Sequence, residues 1–106
     1  MSKTIRYYGA LAALVLMAGA MSFAQSGEAT YKAKCQSCHG ADGIPNPGIA
    51  KMMGVKPATD PSVKAHSEDE MITITTNGKN KMPSFKGKLS DEEIKGSVEY
   101  FRSLGK

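Results

Sequence analysis

Cys35-Gln36-Ser37-Cys38-His39 is the stretch on which the reading of the whole chain turns. On a helix, residues three and four apart share a face, so Cys35, Cys38 and His39 can all meet one flat object. Two cysteines at this spacing followed at once by a histidine form a covalent haem-attachment sequence. The thiols make thioethers with the haem vinyl groups, and the imidazole reaches the iron as proximal ligand. Two other chemistries use the same cysteines. A thiol–disulfide redox centre is expected beside a βαβ pattern, and this chain offers almost no strand. A closed zinc site needs four ligands, and beyond the motif only His66 is left over. The haem reading is preferred.

The composition around the motif points the same way. The chain has 106 residues, enough for one small domain, and a net charge of +4 from 14 Lys and Arg against 10 Asp and Glu. Much of its apolar content lies in one segment near the start. Beyond residue 24, 18 residues are Val, Ile, Leu, Met, Phe or Tyr, and only Leu89 and Leu104 among them are leucines. So thin a core usually needs a staple, and a buried haem supplies apolar surface that the sequence lacks.

Residues 1–24 read as a secretory signal peptide, with Lys3 and Arg6 ahead of an apolar run and Ser22 and Ala24 straddling Phe23 as a cleavage site. The mature domain is then residues 25–106. A retained anchor is disfavoured because Gly9 to Ala24, at roughly 1.5 Å per residue, reaches about 24 Å against a hydrocarbon core of about 30 Å. No stable membrane insertion is expected after cleavage. Loss of Lys3 and Arg6 leaves 12 basic and 10 acidic residues, a charge of +2, so nucleic acid is not an expected partner.

Three helices are predicted, over about 27–38, 68–77 and 91–104, with Gly78 and Gly105 as stops for the last two. Ser67 precedes Glu70, and Ser90 precedes Glu93, by the three residues of a capping box. The acidic triplets Glu68-Asp69-Glu70 and Asp91-Glu92-Glu93 therefore complement helix dipoles. Ile94, Val98 and Phe101 form one apolar face. Ile72 to Thr76 is β-branched and suits a strand equally well, but the capping box and Gly78 favour helix. From Gly40 to Asp60, five Gly or Asn residues and Pro45, Pro47 and Pro57 predict loop. A loop of that length needs something to wrap around.

The mature chain resembles a small class I cytochrome c, the kind found as soluble bacterial electron carriers. The resemblance covers nearly the whole mature chain. It rests on the first helix running into Cys35-Gln36-Ser37-Cys38-His39-Gly40, on Asn77-Gly78-Lys79-Asn80-Lys81-Met82-Pro83-Ser84-Phe85, and on the stretch Leu89 to Leu104 with Tyr100. It implies an all-α fold of three to four helices wrapped around one covalently bound haem c. It also implies that Met82, followed by proline in the loop between the last two helices, is the sixth iron ligand. A proline carbonyl after the motif, Pro47 in preference to Pro45, accepts a hydrogen bond from His39 Nδ1. The first and last helices cross, with Gly27 and Tyr31 near Gly96 and Tyr100.

The residues themselves also favour Met82. Met71 falls in a helix that needs it for packing, and Met52 and Met53 are read as walls of the haem pocket. Met82 stands in a lysine-rich loop with little packing reason of its own. His66 is the rival sixth ligand. The resulting expectation is a periplasmic or otherwise exported one-electron carrier that transforms no substrate. Lys34, Lys79, Lys81, Lys86 and Lys88 would dock redox-partner proteins with acidic surfaces. The alternatives are an open-haem peroxidase-like or gas-binding protein, should Met82 not ligate, and a thiol–disulfide oxidoreductase using Cys35 and Cys38.

Overall fold

The computed structural model describes residues 27–106, so the leader read over residues 1–24 lies outside the described residues. Residues 27–34 are helical (α1), Cys35 is a turn, and helix resumes as α2 (Gln36–His39). Then come α3 (Pro47–Met53), α4 (Pro61–Lys64), α5 (Glu68–Asn77) and α6 (Asp91–Leu104). Among the described residues no strand occurs, only the isolated bridges Lys79 with Met82 and Lys86 with Leu89. The all-α class is as read from the sequence, with six helical segments where three to four were expected.

α5 and α6 begin and end where their caps place them. Ser67 Oγ accepts from the Glu70 N–H at 3.1 Å while Glu70 Oε1 accepts from the Ser67 N–H, and Ser90 and Glu93 repeat the arrangement. The β-branched run in α5 is helical between its capping box and Gly78, and the hydroxyls of Thr75 and Thr76 each donate at 2.8 Å to the carbonyl four residues earlier.

The stretch read as loop is corrected by α3. Asn46 caps its start by accepting from the Gly48 N–H at 2.9 Å, Pro47 is its first residue, and Gly54 ends it with φ 70°. Asp60 and Pro61 start α4 in the same way. A proline has no N–H to lose at the first position of a helix and is preset in φ, so these prolines start helices.

The predicted crossing of first and last helices is present. A Cβ on Gly27 would lie 2.6 Å from the Gly96 carbonyl oxygen, so only glycine permits this approach. The Tyr31 and Tyr100 rings sit 5.1 Å apart, and Tyr31 also stacks on Phe101. Tyr31, Ile94, Val98 and Ala58 are the buried hydrophobic residues among those described. Four such side chains make a thin core, as the composition implies.

Candidate functional site

The first helical run carries the motif to one wall of a cavity of about 620 Å³. Cys35, Cys38 and His39 line it together, as the spacing requires. Tyr31, one turn before Cys35, fixes this wall: its hydroxyl donates 2.6 Å to the carbonyl of Gly40, the residue after His39. α6 supplies the backing. Phe101 lies 5.0 Å from the His39 ring, and Ser97 and Val98 continue the wall.

Cys35 and Cys38 form no disulfide with each other. Burial pushes the Cys35 thiol above its ordinary value, opposed by the Ser97 hydroxyl and assisted by Cys38. Burial lowers His39, which favours its neutral imidazole form. Its Nδ1 is buried and has no hydrogen-bond partner. The bond expected to the Pro47 carbonyl is thus absent: Pro47 opens α3 and is exposed, and a carbonyl in the first helical turn is directed along the helix. Pro45 is buried.

A second part of the lining comes from α5 and the segment after it. Met82 lines the cavity, half-buried, with Pro83 and Phe85 beside it. A tight turn sets its position: the Lys79 N–H donates 3.1 Å to the Met82 carbonyl, and the Met82 N–H donates 2.9 Å to the Lys79 carbonyl. Asn80 holds φ 54° inside that turn, a conformation asparagine tolerates. Gly78 is required before it. Its φ is 80°, and a Cβ there would lie 2.9 Å from the Met82 carbonyl oxygen.

The other candidates separate. Met71 and Met53 line the cavity, Met53 from the end of α3. Met52 does not; it is 61% exposed, which corrects its reading as a pocket wall, because its position on α3 turns it outward. His66 lines the cavity, but its Nδ1 is 3.0 Å from Glu70 Oε2, inside the α5 capping box. Lys34, Lys56, Lys79 and Lys81 line the cavity and no carboxylate does. Lys86 and Lys88 are exposed away from it. Sequence reasoning missed the tie from Tyr31 to Gly40, although both residues were in view, and Lys56, which stands alone between apolar residues and gave no signal.

Two thiols and a neutral imidazole on one wall, a thioether on the other and a thin protein core between them suit one large planar apolar group. The donor set agrees, since two thiols, an imidazole and a thioether are the side chains that attach a haem and ligate its iron. These features define a covalent haem-binding helical domain.

The comparisons with known proteins agree. The family model described as cytochrome c oxidase, cbb3-type, subunit III matches residues 22–101. Cytochrome c6 of Anabaena variabilis is 40% identical over 81 residues, covering 76% of this chain and 88% of that protein. Cytochrome c6 of Leptolyngbya boryana is 32% identical over 80 residues, covering 73% and 87%. The solved structure of KustC0563 c-type cytochrome matches with TM-score 0.68 and 32% identity, over 76% of this chain and 98% of that one. The chain belongs to the small monohaem class I cytochromes c, and its cofactor is one covalently attached haem c.

Proposed function

We infer that this cytochrome carries single electrons between two protein partners, with Cys35 and Cys38 as the attachment thiols and His39 and Met82 as the axial ligands. The observation that carries the reading is that these four side chains, drawn from separate segments, line one cavity. When bound, the haem iron supplies the one-electron chemistry, and Met/His ligation raises its potential. The protein's own residues do the rest. The Tyr31–Gly40 hydrogen bond and the Phe101 ring hold His39 in one place, so little has to move when the charge at the site changes by one. The turn from Lys79 to Met82 does the same for the opposite ligand. Val98, Ile74, Val63 and Phe85 keep water from the cavity walls.

The partners would be redox proteins with acidic surfaces. Lys34, Lys79 and Lys81 are exposed at the cavity and no carboxylate is among its lining residues, which suits steering of an anionic surface toward that opening. Export fits the signal-like residues 1–24. Among the described residues no helix is long and apolar enough to cross a membrane.

Absorption spectra of the oxidised holoprotein test the ligand set. The parent should show the weak far-red band of sulfur-to-iron charge transfer, and Met82→Ala should lose it and begin to bind carbon monoxide when reduced. Survival of the band in Met82→Ala with loss in Met53→Ala or Met71→Ala would move the ligand. A parent without the band that turns high-spin on His66→Ala would give that place to His66.

A further inference from the structure

Lys81 differs from the other lysines at the cavity. Its Nζ donates 2.6 Å to the main-chain carbonyl of Met52, 29 positions earlier. Met52 lies in the last turn of α3, where carbonyls have no intrahelical partner and carry the negative end of the helix dipole. Among the described residues no carboxylate pairs with Lys81, so its charge is directed at that helix end.

The position of this bond gives it a function. The segment carrying Met82 is tied to α5 on its far side: the Phe85 N–H donates to the Thr75 carbonyl, the Lys86 N–H to the Thr76 carbonyl, and the Ser84 hydroxyl to the Thr76 carbonyl at 2.7 Å. On its near side the turn from Lys79 to Met82 is closed upon itself and bonds to nothing beyond its own ends except through Lys81. No other hydrogen bond among the described residues joins residues 78–90 to α3. Met82 is the next residue. A turn hinged on α5 alone can swing away from the cavity, and a charge-assisted bond to the end of α3 restrains it.

We propose that Lys81 is a positioning residue: a latch from the Met82 turn to the end of α3 that holds the Met82 sulfur at the iron. It rests on the reading of Met82 as sixth ligand. Steering of partners then falls to Lys34 and Lys79, and Lys81 governs how readily another ligand displaces the sulfur.

The test is imidazole binding to the oxidised holoprotein, followed by loss of the far-red band, in the parent, Lys81→Met, Lys81→Arg and Lys79→Met. Lys81→Met keeps the length of the side chain and removes the donor. It should raise the apparent imidazole affinity by about tenfold, the equivalent of one charge-assisted bond. Lys81→Arg, which can still donate to the Met52 carbonyl, should return it toward the parent value. Lys79→Met loses the same charge two residues away and should leave it unchanged. A parental affinity in Lys81→Met overturns the latch, and so does an equal rise in Lys79→Met, which would make the effect one of charge alone. A fall in thermal midpoint in Lys81→Met without a change in imidazole affinity also overturns it, as the mark of a merely structural contact. A parent lacking the far-red band would instead remove Met82 as ligand, and the latch with it.

Discussion

The two walls of the cavity are built by different means. The wall of α1, α2 and α6 is made by packing: Gly27 and Gly96 bring two helices into backbone contact, and Tyr31 and Ile94 are each 1% exposed. The wall after α5 is made by main-chain hydrogen bonds, with Met82 set by the bonds of a four-residue turn and a glycine at φ 80°. On the proposed ligand set, the packed wall would carry the residues joined covalently and the hydrogen-bonded wall a ligand held by coordination. Burial gives rigidity where a bond is permanent. Backbone bonds near solvent open more readily, and exchange is to be found there.

Breaking the covalent side should have the largest effect. In the Cys35→Ala, Cys38→Ala double variant the described core is reduced to a few buried side chains, too few to offset an ordering cost of roughly 1.5 kcal/mol per residue. Far-ultraviolet circular dichroism should show most of the helix signal gone. Native-like helix content would mean that the two walls hold each other without haem.

Next in size is the crossing itself. Gly27→Ala pushes a Cβ to within 2.6 Å of the Gly96 carbonyl oxygen, and neither backbone can yield without separating the helices. Overpacking of this kind costs about 1–3 kcal/mol, read as a shift in the denaturant midpoint of the holoprotein. Gly54→Ala makes the contrast. Its Cβ would meet nothing within 4 Å, and only the left-handed φ of 70° resists it, at about 1 kcal/mol. Equal shifts in the two variants would show that space at the crossing is not what the glycine supplies.

The packed wall was largely legible in the sequence. The motif spacing, the 3.6-residue pattern of Ile94, Val98 and Phe101, and the two capping boxes are local signals, and local signals survive folding. The other wall was legible only in part. Met82 stood out because a methionine in a polar loop lacks a packing reason, and Gly78 was seen as a helix stop. The Lys81–Met52 bond spans 29 positions and joins a side chain to a carbonyl, so no pattern announces it. The prolines misled for a different reason. Within the stretch expected to be loop, Asn46-Pro47 is a capped helix start, and a high density of Pro and Gly does not distinguish a loop from a helix that has proline as its first residue.

The caps allow a finer comparison. Ser90→Ala removes the hydroxyl that accepts from the Glu93 N–H at the start of α6, and should cost about 1 kcal/mol. Ser67→Ala does the same to α5. α6 belongs to the packed wall and α5 to the other, so Ser67→Ala should also raise imidazole affinity while Ser90→Ala should not. Both boxes contribute to acid sensitivity. Glu70 is held below its ordinary value first by the hydrogen bond with His66 and then by Ser67, and Glu93 by hydrogen bonds from Ser90. A carboxyl lowered in the folded state stabilises it fully above the unfolded value, and that stability is lost as pH falls through the folded value. Melts of the holoprotein should therefore begin to weaken as pH drops below the ordinary glutamate value of 4.5. A thermal midpoint that rose in that window would contradict the sign.

The smallest expected effect lies at the opening between the walls, and it asks whether they act as one surface toward a partner. Lys34 comes from the packed wall and Lys79 from the hydrogen-bonded one; both line the cavity, and both are exposed. Lysines 86 and 88 are equally exposed but do not line it. Charges separated by more than about 10 Å are largely screened at 0.1 M salt, so steering by the opening requires the charges nearest it. Electron transfer to an acidic protein should slow as ionic strength rises. Lys34→Glu and Lys79→Glu should each flatten that dependence, by similar amounts and more than Lys88→Glu. A flattening confined to Lys79→Glu would place docking on the Met82 wall alone, and equal flattening by all three would reduce steering to net charge. Lys81 is the wrong residue for this measurement, because its ammonium is engaged with the Met52 carbonyl and a reversal there would disturb the ligand and the surface together.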